Sequence, residues 1–131
     1  MDPATVLPMM AVGYLITISI ETPVLLIGVS SRHPIRNRLF AGAWLTACTY
    51  PVVWLVLPQW IDTGSQRTLY LAIAETFAPV AECFLFWLAF GKTEPRTRGA
   101  TLQDMVAVTV ANLASFAFGE VFSDWIWRTG P

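Results

Sequence analysis

Four long apolar runs separated by short polar connectors dominate the pattern of hydrophobic and polar positions, at residues 6–29, 39–58, 68–90 and 101–123. A bilayer core takes about 20 predominantly apolar residues as helix, so each run predicts one transmembrane span. The connectors are too short to hold a soluble domain, and short connections favour sequential helices packed as antiparallel neighbours. The predicted fold class is all-α integral membrane: a four-transmembrane-helix bundle forming a single transmembrane domain over residues 1–131. The opening Met1-Asp2-Pro3 lacks a basic segment, and the apolar run from Val6 is too long for the core of a secretory leader, so the first run reads as a span.

A weak internal repeat accompanies this pattern. Leu15-Ile16-Thr17-Ile18-Ser19-Ile20-Glu21-Thr22 laid over Leu69-Tyr70-Leu71-Ala72-Ile73-Ala74-Glu75-Thr76 matches Leu, Glu and Thr in register. Each copy is followed by a proline, a basic connector and another span, which suggests two tandem helical hairpins in the same orientation.

Composition agrees with a lipid-embedded chain, because 55% of the residues are hydrophobic and only 13% are charged, about half the usual charged fraction of a soluble domain. A net charge of -1 supplies no basic stripe for nucleic acid. Six of the eight basic residues, Arg32, Arg36, Arg38, Lys92, Arg96 and Arg98, fall in the first and third connectors. These share one side if all four helices span. The positive-inside rule then expects loops 30–38 and 91–100 in the cytoplasm, both termini outside, and residence in a plasma (inner) membrane. Trp60, Trp125, Trp127 and Tyr70 are expected in the opposite headgroup layer, and the basic residues as a collar against anionic lipid.

The chemistry-bearing residues are glutamates inside or near the spans: Glu21 in the first, Glu75 and Glu82 in the third, and Glu120 towards the outer end of the fourth. Acidic side chains at membrane depth cost a few kcal/mol on insertion scales and usually face a bundle interior or water. Glu75 and Glu82 are seven residues apart, about two helical turns, and so share one face. Glu21 and Glu82 are expected towards the cytoplasm and Glu75 and Glu120 towards the outside, as two carboxylate layers along one axis. No span holds a Lys or Arg to neutralise them, so several must be protonated or bind a cation. Whether a metal or another cofactor is held is not specified by these residues.

Pro23, Pro51 and Pro79 each interrupt a span and free the carbonyls of Ser19, Ala47 and Glu75, either as packing kinks or as ligating oxygens. The fourth span carries small residues at every fourth position, Ala107, Ala111, Ser115 and Gly119, a ladder that permits close helix approach; Ala43 and Ala47 repeat it more briefly. Asn112, on the adjoining edge, can bond across that contact or face the glutamates, and joins them as a candidate ion- or proton-binding residue. Cys48 and Cys83 lack metal or redox spacing and read as small buried packers, and His33 as a solvated or headgroup-facing ring. With one histidine, no phosphate loop and no nucleophile elbow, catalysis is not the expected role.

The expected function is therefore a small membrane transport protein, a channel or a proton- or cation-coupled carrier, working through Glu21, Glu75, Glu82, Glu120 and Asn112. Partners expected with it are the lipid bilayer and further copies in a homo-oligomer. The alternative is a non-catalytic integral subunit of a larger membrane protein complex.

Overall fold

The structure, a computed structural model, describes the backbone of residues 3–129 and the side chains of residues 6–121. Four helices follow in order, α1 (Pro3–Gly28), α2 (Ile35–Pro51), α3 (Arg67–Phe90) and α4 (Arg98–Thr129), with no strand among the described residues. All four are long and apolar enough to cross a membrane, α2 by including its continuation to Gln59. Each helix packs against the next and α4 closes on α1, giving a four-sided antiparallel bundle. The two hairpins expected from the sequence, α1–α2 and α3–α4, run in the same orientation.

The helices are dressed for lipid. Large apolar side chains such as Leu15, Ile27, Phe84, Val110 and Leu113 point outward from every side, a surface that a water-soluble monomer rarely presents. Trp60 is 84% exposed. Tyr70 instead turns into the bundle and donates its hydroxyl to the Val53 carbonyl at 3.0 Å. The side chains of Trp125 and Trp127 lie outside the described residues.

Helix limits depart from the apolar runs where connector residues serve as caps. α2 begins at Ile35, directly after Pro34, whose extended backbone opens the helix. α4 begins at Arg98 because the Thr97 hydroxyl accepts the Ala100 N–H at 3.1 Å. After Pro51, α2 widens into a π turn over Val52–Val56 and tightens into a 3₁₀ turn over Leu57–Gln59. The Tyr70 bond to Val53 is made within that irregular segment.

The buried interior is layered at four-residue steps. Leu25, Leu45, Phe86 and Val108, one from each helix, are almost fully buried and form the centre of the apolar core. One turn further towards the basic connectors lie Val29, Ala41 and Asp104. The small-residue ladder of α4 meets α1 inside this chain: a Cβ at Gly28 would sit 3.0 Å from that of Ala107. Gly42 of α2 makes an equally close approach, since a Cβ there would overlap the Thr22 hydroxyl of α1. Ala47 and Cys48, by contrast, face outward, and Cys83 is half-buried beside Met105. Cys48 is thus not the buried packer the sequence suggested, because its face of α2 points away from the other three helices.

The basic-connector end is tied by a buried charge cluster, and here two expectations are corrected. Arg32 pairs with Asp104, the side chains being 2% and 0% exposed, and reaches the Thr93 carbonyl and Thr101 hydroxyl. His33 is buried rather than solvated: Nε2 lies 2.9 Å from Asp104 Oδ2, and its ring packs edge-on against Phe86 and Phe90. The collar is also incomplete, because Arg38 folds back to donate to the carbonyls of Leu26, Ser30 and His33. The end of α1 leaves carbonyls without helical partners, and Arg38 and Gln103 take up two of them, those of Leu26 and Gly28. Arg36, Lys92, Arg96 and Arg98 remain exposed.

Removing Asp104 strands a buried guanidinium, which costs roughly 3–5 kcal/mol. Asp104→Asn is therefore expected to lose far more stability in detergent unfolding than Glu120→Gln, whose partner Arg67 is 59% exposed and whose pair is worth about 1 kcal/mol or less. Equal losses from the two substitutions would contradict this account of the connector end.

Candidate functional site

One turn above the apolar layer, away from the basic connectors, the same inner stripes carry polar groups. Stepping four residues along each helix leads from Leu25 to Glu21, from Leu45 to Thr49, from Phe86 to Glu82 and from Val108 to Asn112. Residues four apart share a helix face, so all four polar groups converge on the bundle axis. Glu21 and Glu82 are 3% and 2% exposed.

Each carboxylate oxygen is held by its own donor. Glu21 Oε2 accepts from the Thr46 hydroxyl at 2.7 Å and Oε1 from the Ser115 hydroxyl at 2.7 Å. Glu82 Oε1 accepts from the Thr49 hydroxyl at 2.7 Å and Oε2 from the Asn112 amide at 2.8 Å. Thus α2 and α4 each give one donor to each glutamate, from pairs spaced three residues apart: Thr46 and Thr49, Asn112 and Ser115. The Asn112 amide also donates to the Val108 carbonyl at 3.0 Å. Two acceptors on one side fix which end of that amide faces the carboxylate.

The carboxylates form the floor of a cavity of about 210 Å³, room for several waters at roughly 30 Å³ each and below the size of drug-binding pockets. Thr17, Val53, Ala78 and Phe116, one further turn up each stripe, line its walls together with Tyr50 and Trp54. Glu75, half-buried, and Glu120 stand nearer the mouth. All five expected site residues, Glu21, Glu75, Glu82, Glu120 and Asn112, therefore line one cavity.

The expectation that no basic side chain neutralises them fails at the mouth. Arg67, the first residue of α3, donates to both oxygens of Glu120 at 2.9 and 3.0 Å. The repeat also pairs the wrong residues. Glu21 stands seven residues, roughly 10 Å, from the end of α1; Glu82 stands eight residues, roughly 12 Å, from the matching end of α3, and Glu75 is a further two turns away. The structural counterpart of Glu21 is Glu82.

Sequence reasoning missed Thr46, Thr49 and Asp104, and took Ser115 only as a packing residue. The available signal was hydroxyl or amide pairs three apart inside apolar runs, each one turn from a large apolar residue. Towards the connectors the cavity ends at the Leu25, Leu45, Phe86 and Val108 layer, which separates its floor from Asp104 by about two turns, roughly 11 Å. Among the described residues no cluster of three or more His, Cys, Asp or Glu is arranged to hold a metal.

No protein-family model, curated protein or solved structure matches this chain. The class that fold and site define is a small membrane protein of four helices with a paired-carboxylate cavity in its interior.

In a chain with Cys48→Ala and Cys83→Ser, Gly119→Cys at the open wall is expected to react with a small cationic thiol reagent, while Val108→Cys in the apolar layer is protected. Equal labelling of the two in folded protein, followed by mass spectrometry, would show that the cavity does not end where described.

Proposed function

We propose that this protein is a transport protein, a small carrier that takes up a proton or small cation from the cavity mouth and binds it at Glu21 and Glu82. The observation that carries the reading is a pair of carboxylates, each oxygen with a hydrogen-bond donor, at the blind end of a cavity with no basic side chain among its lining residues. Burying two acids on one cavity floor costs stability that an apolar pair would not. Structural packing alone does not call for them, whereas cation or proton exchange does.

A carrier is favoured over an open channel because the apolar layer and the Arg32–Asp104–His33 cluster close the connector end. Transfer across the membrane then requires that layer to part, so the closed arrangement is one of two. Glu75 and Glu120 serve as acids on the way in, with Arg67 holding Glu120 at the mouth. The carrier unit proposed is one chain, since all four helices of a single bundle contribute lining residues to the cavity. Association into a homo-oligomer would use the lipid-facing surfaces. With the basic connectors taken as cytoplasmic, the cavity opens outward.

Purified protein in liposomes is expected to move protons or a small monovalent cation, and Glu21→Gln or Glu82→Gln to reduce the rate at least tenfold with helix content unchanged by circular dichroism. Glu120→Gln is expected to retain part of the rate. No flux from well-folded wild type would overturn the proposal and favour a subunit of a larger membrane assembly.

A further inference from the structure

The polar groups around the two floor glutamates are not equivalent in what they can do with a proton. An amide N–H₂ only donates, whereas a hydroxyl can donate in one direction and accept from another. Glu82 meets one of each kind, Asn112 at Oε2 and Thr49 at Oε1. Glu21 meets two hydroxyls, Thr46 and Ser115.

Each of these hydroxyls also has a backbone carbonyl of its own helix within reach. Thr49 Oγ1 lies 3.3 Å from the Leu45 carbonyl, Thr46 Oγ1 3.2 Å from that of Gly42, and Ser115 Oγ 2.9 Å from that of Asn112. Such back-bonding is a common alternative for Ser and Thr inside helices. The hydroxyl hydrogen turns about the Cβ–Oγ bond, so moving from carboxylate to carbonyl displaces no heavy atom.

We infer that Thr49 is a proton-responsive rotor that lets Glu82 carry its proton on Oε1 alone, with Asn112 holding Oε2 as the carbonyl oxygen in both states. The inference rests on the proposed exchange of protons at Glu82. When Glu82 is ionised, Thr49 donates to Oε1. A hydronium ion entering from the cavity gives its proton to Oε1 and leaves as water. The new O–H donates to Thr49 Oγ1, whose own hydrogen swings to the Leu45 carbonyl. No bond other than the transferred proton's is made or broken, and no buried donor is left without an acceptor. Glu21 faces a hydroxyl on each side, so either of its oxygens can carry a proton. Among the described residues, the groups facing Glu82 from the other helices are Glu21 of α1, Thr49 of α2 and Asn112 of α4, and Thr49 and Asn112 hydrogen-bond its oxygens.

Infrared difference spectra of purified protein between alkaline and acidic pH test this without measuring transport. The carbonyl band of protonated Glu82 is identified as the one lost in Glu82→Gln. A carbonyl that loses its donor shifts further than one whose neighbouring O–H loses its acceptor. Asn112→Leu is therefore expected to move the band to higher frequency by more than Thr49→Val does, and Thr49→Ser to leave it in place. The reverse order, an unmoved band in both variants, or no such band in folded wild type overturns the inference. Asn112→Ala and Thr49→Ala give the same readout should either larger substitution fail to fold by circular dichroism. A correct band order in a protein without flux would sink the transport reading and leave the rotor standing; flux with the reversed order would do the opposite.

Discussion

Two carboxylates buried side by side in an apolar bundle set the terms for everything around them. In a medium without water, each oxygen must find a donor within the protein, and an unsatisfied polar group there costs several kcal/mol. Here the donors come from the two helices that lie between the glutamate-bearing ones, α2 with Thr46 and Thr49, and α4 with Asn112 and Ser115. That requirement fixes the rotation of all four helices about their axes. It also explains the close approach at Gly42, where any side chain would push α1 and α2 apart just one turn from the Thr46–Glu21 bond.

From this polar layer the rest of the interior follows by helical periodicity. One turn in one direction brings large apolar side chains that close the bundle; one turn in the other brings the walls of the cavity. Two turns towards the basic connectors, Asp104 anchors Arg32 and His33 and receives the Ser30 backbone N–H at 2.8 Å. The bundle is therefore pinned at one end by a buried ion pair and at the other by the exposed Arg67–Glu120 pair, with the carboxylates between them. Buried and exposed pairs differ severalfold in what their loss costs. The mouth end is accordingly the softer one.

Spans were legible because lipid demands about 20 apolar residues per crossing, and no tertiary detail alters that count. The glutamates were legible for the converse reason, since acids in such runs are expensive. What escaped was the set of neutral partners: Thr46, Thr49 and Ser115 are ordinary residues in membrane helices, and only the three-dimensional convergence of α2 and α4 gives them a role. His33 and Arg32 sit in a connector whose composition reads as solvated, and they turn inward because Asp104, four residues past Ala100 in a run that otherwise reads as apolar, is their counter-charge. The repeat misled because matching Leu, Glu and Thr by register ignores depth, and depth pairs Glu21 with Glu82.

Proton uptake by the purified protein is the most direct measure of whether the floor carboxyls exchange with the cavity. When unbuffered wild type in detergent is shifted from alkaline to acidic pH and the protons taken up are counted, the account predicts a larger uptake than in the Glu21→Gln, Glu82→Gln double variant. Identical uptake by the two folded proteins would contradict it, because the glutamates would then hold one protonation state throughout and serve packing alone.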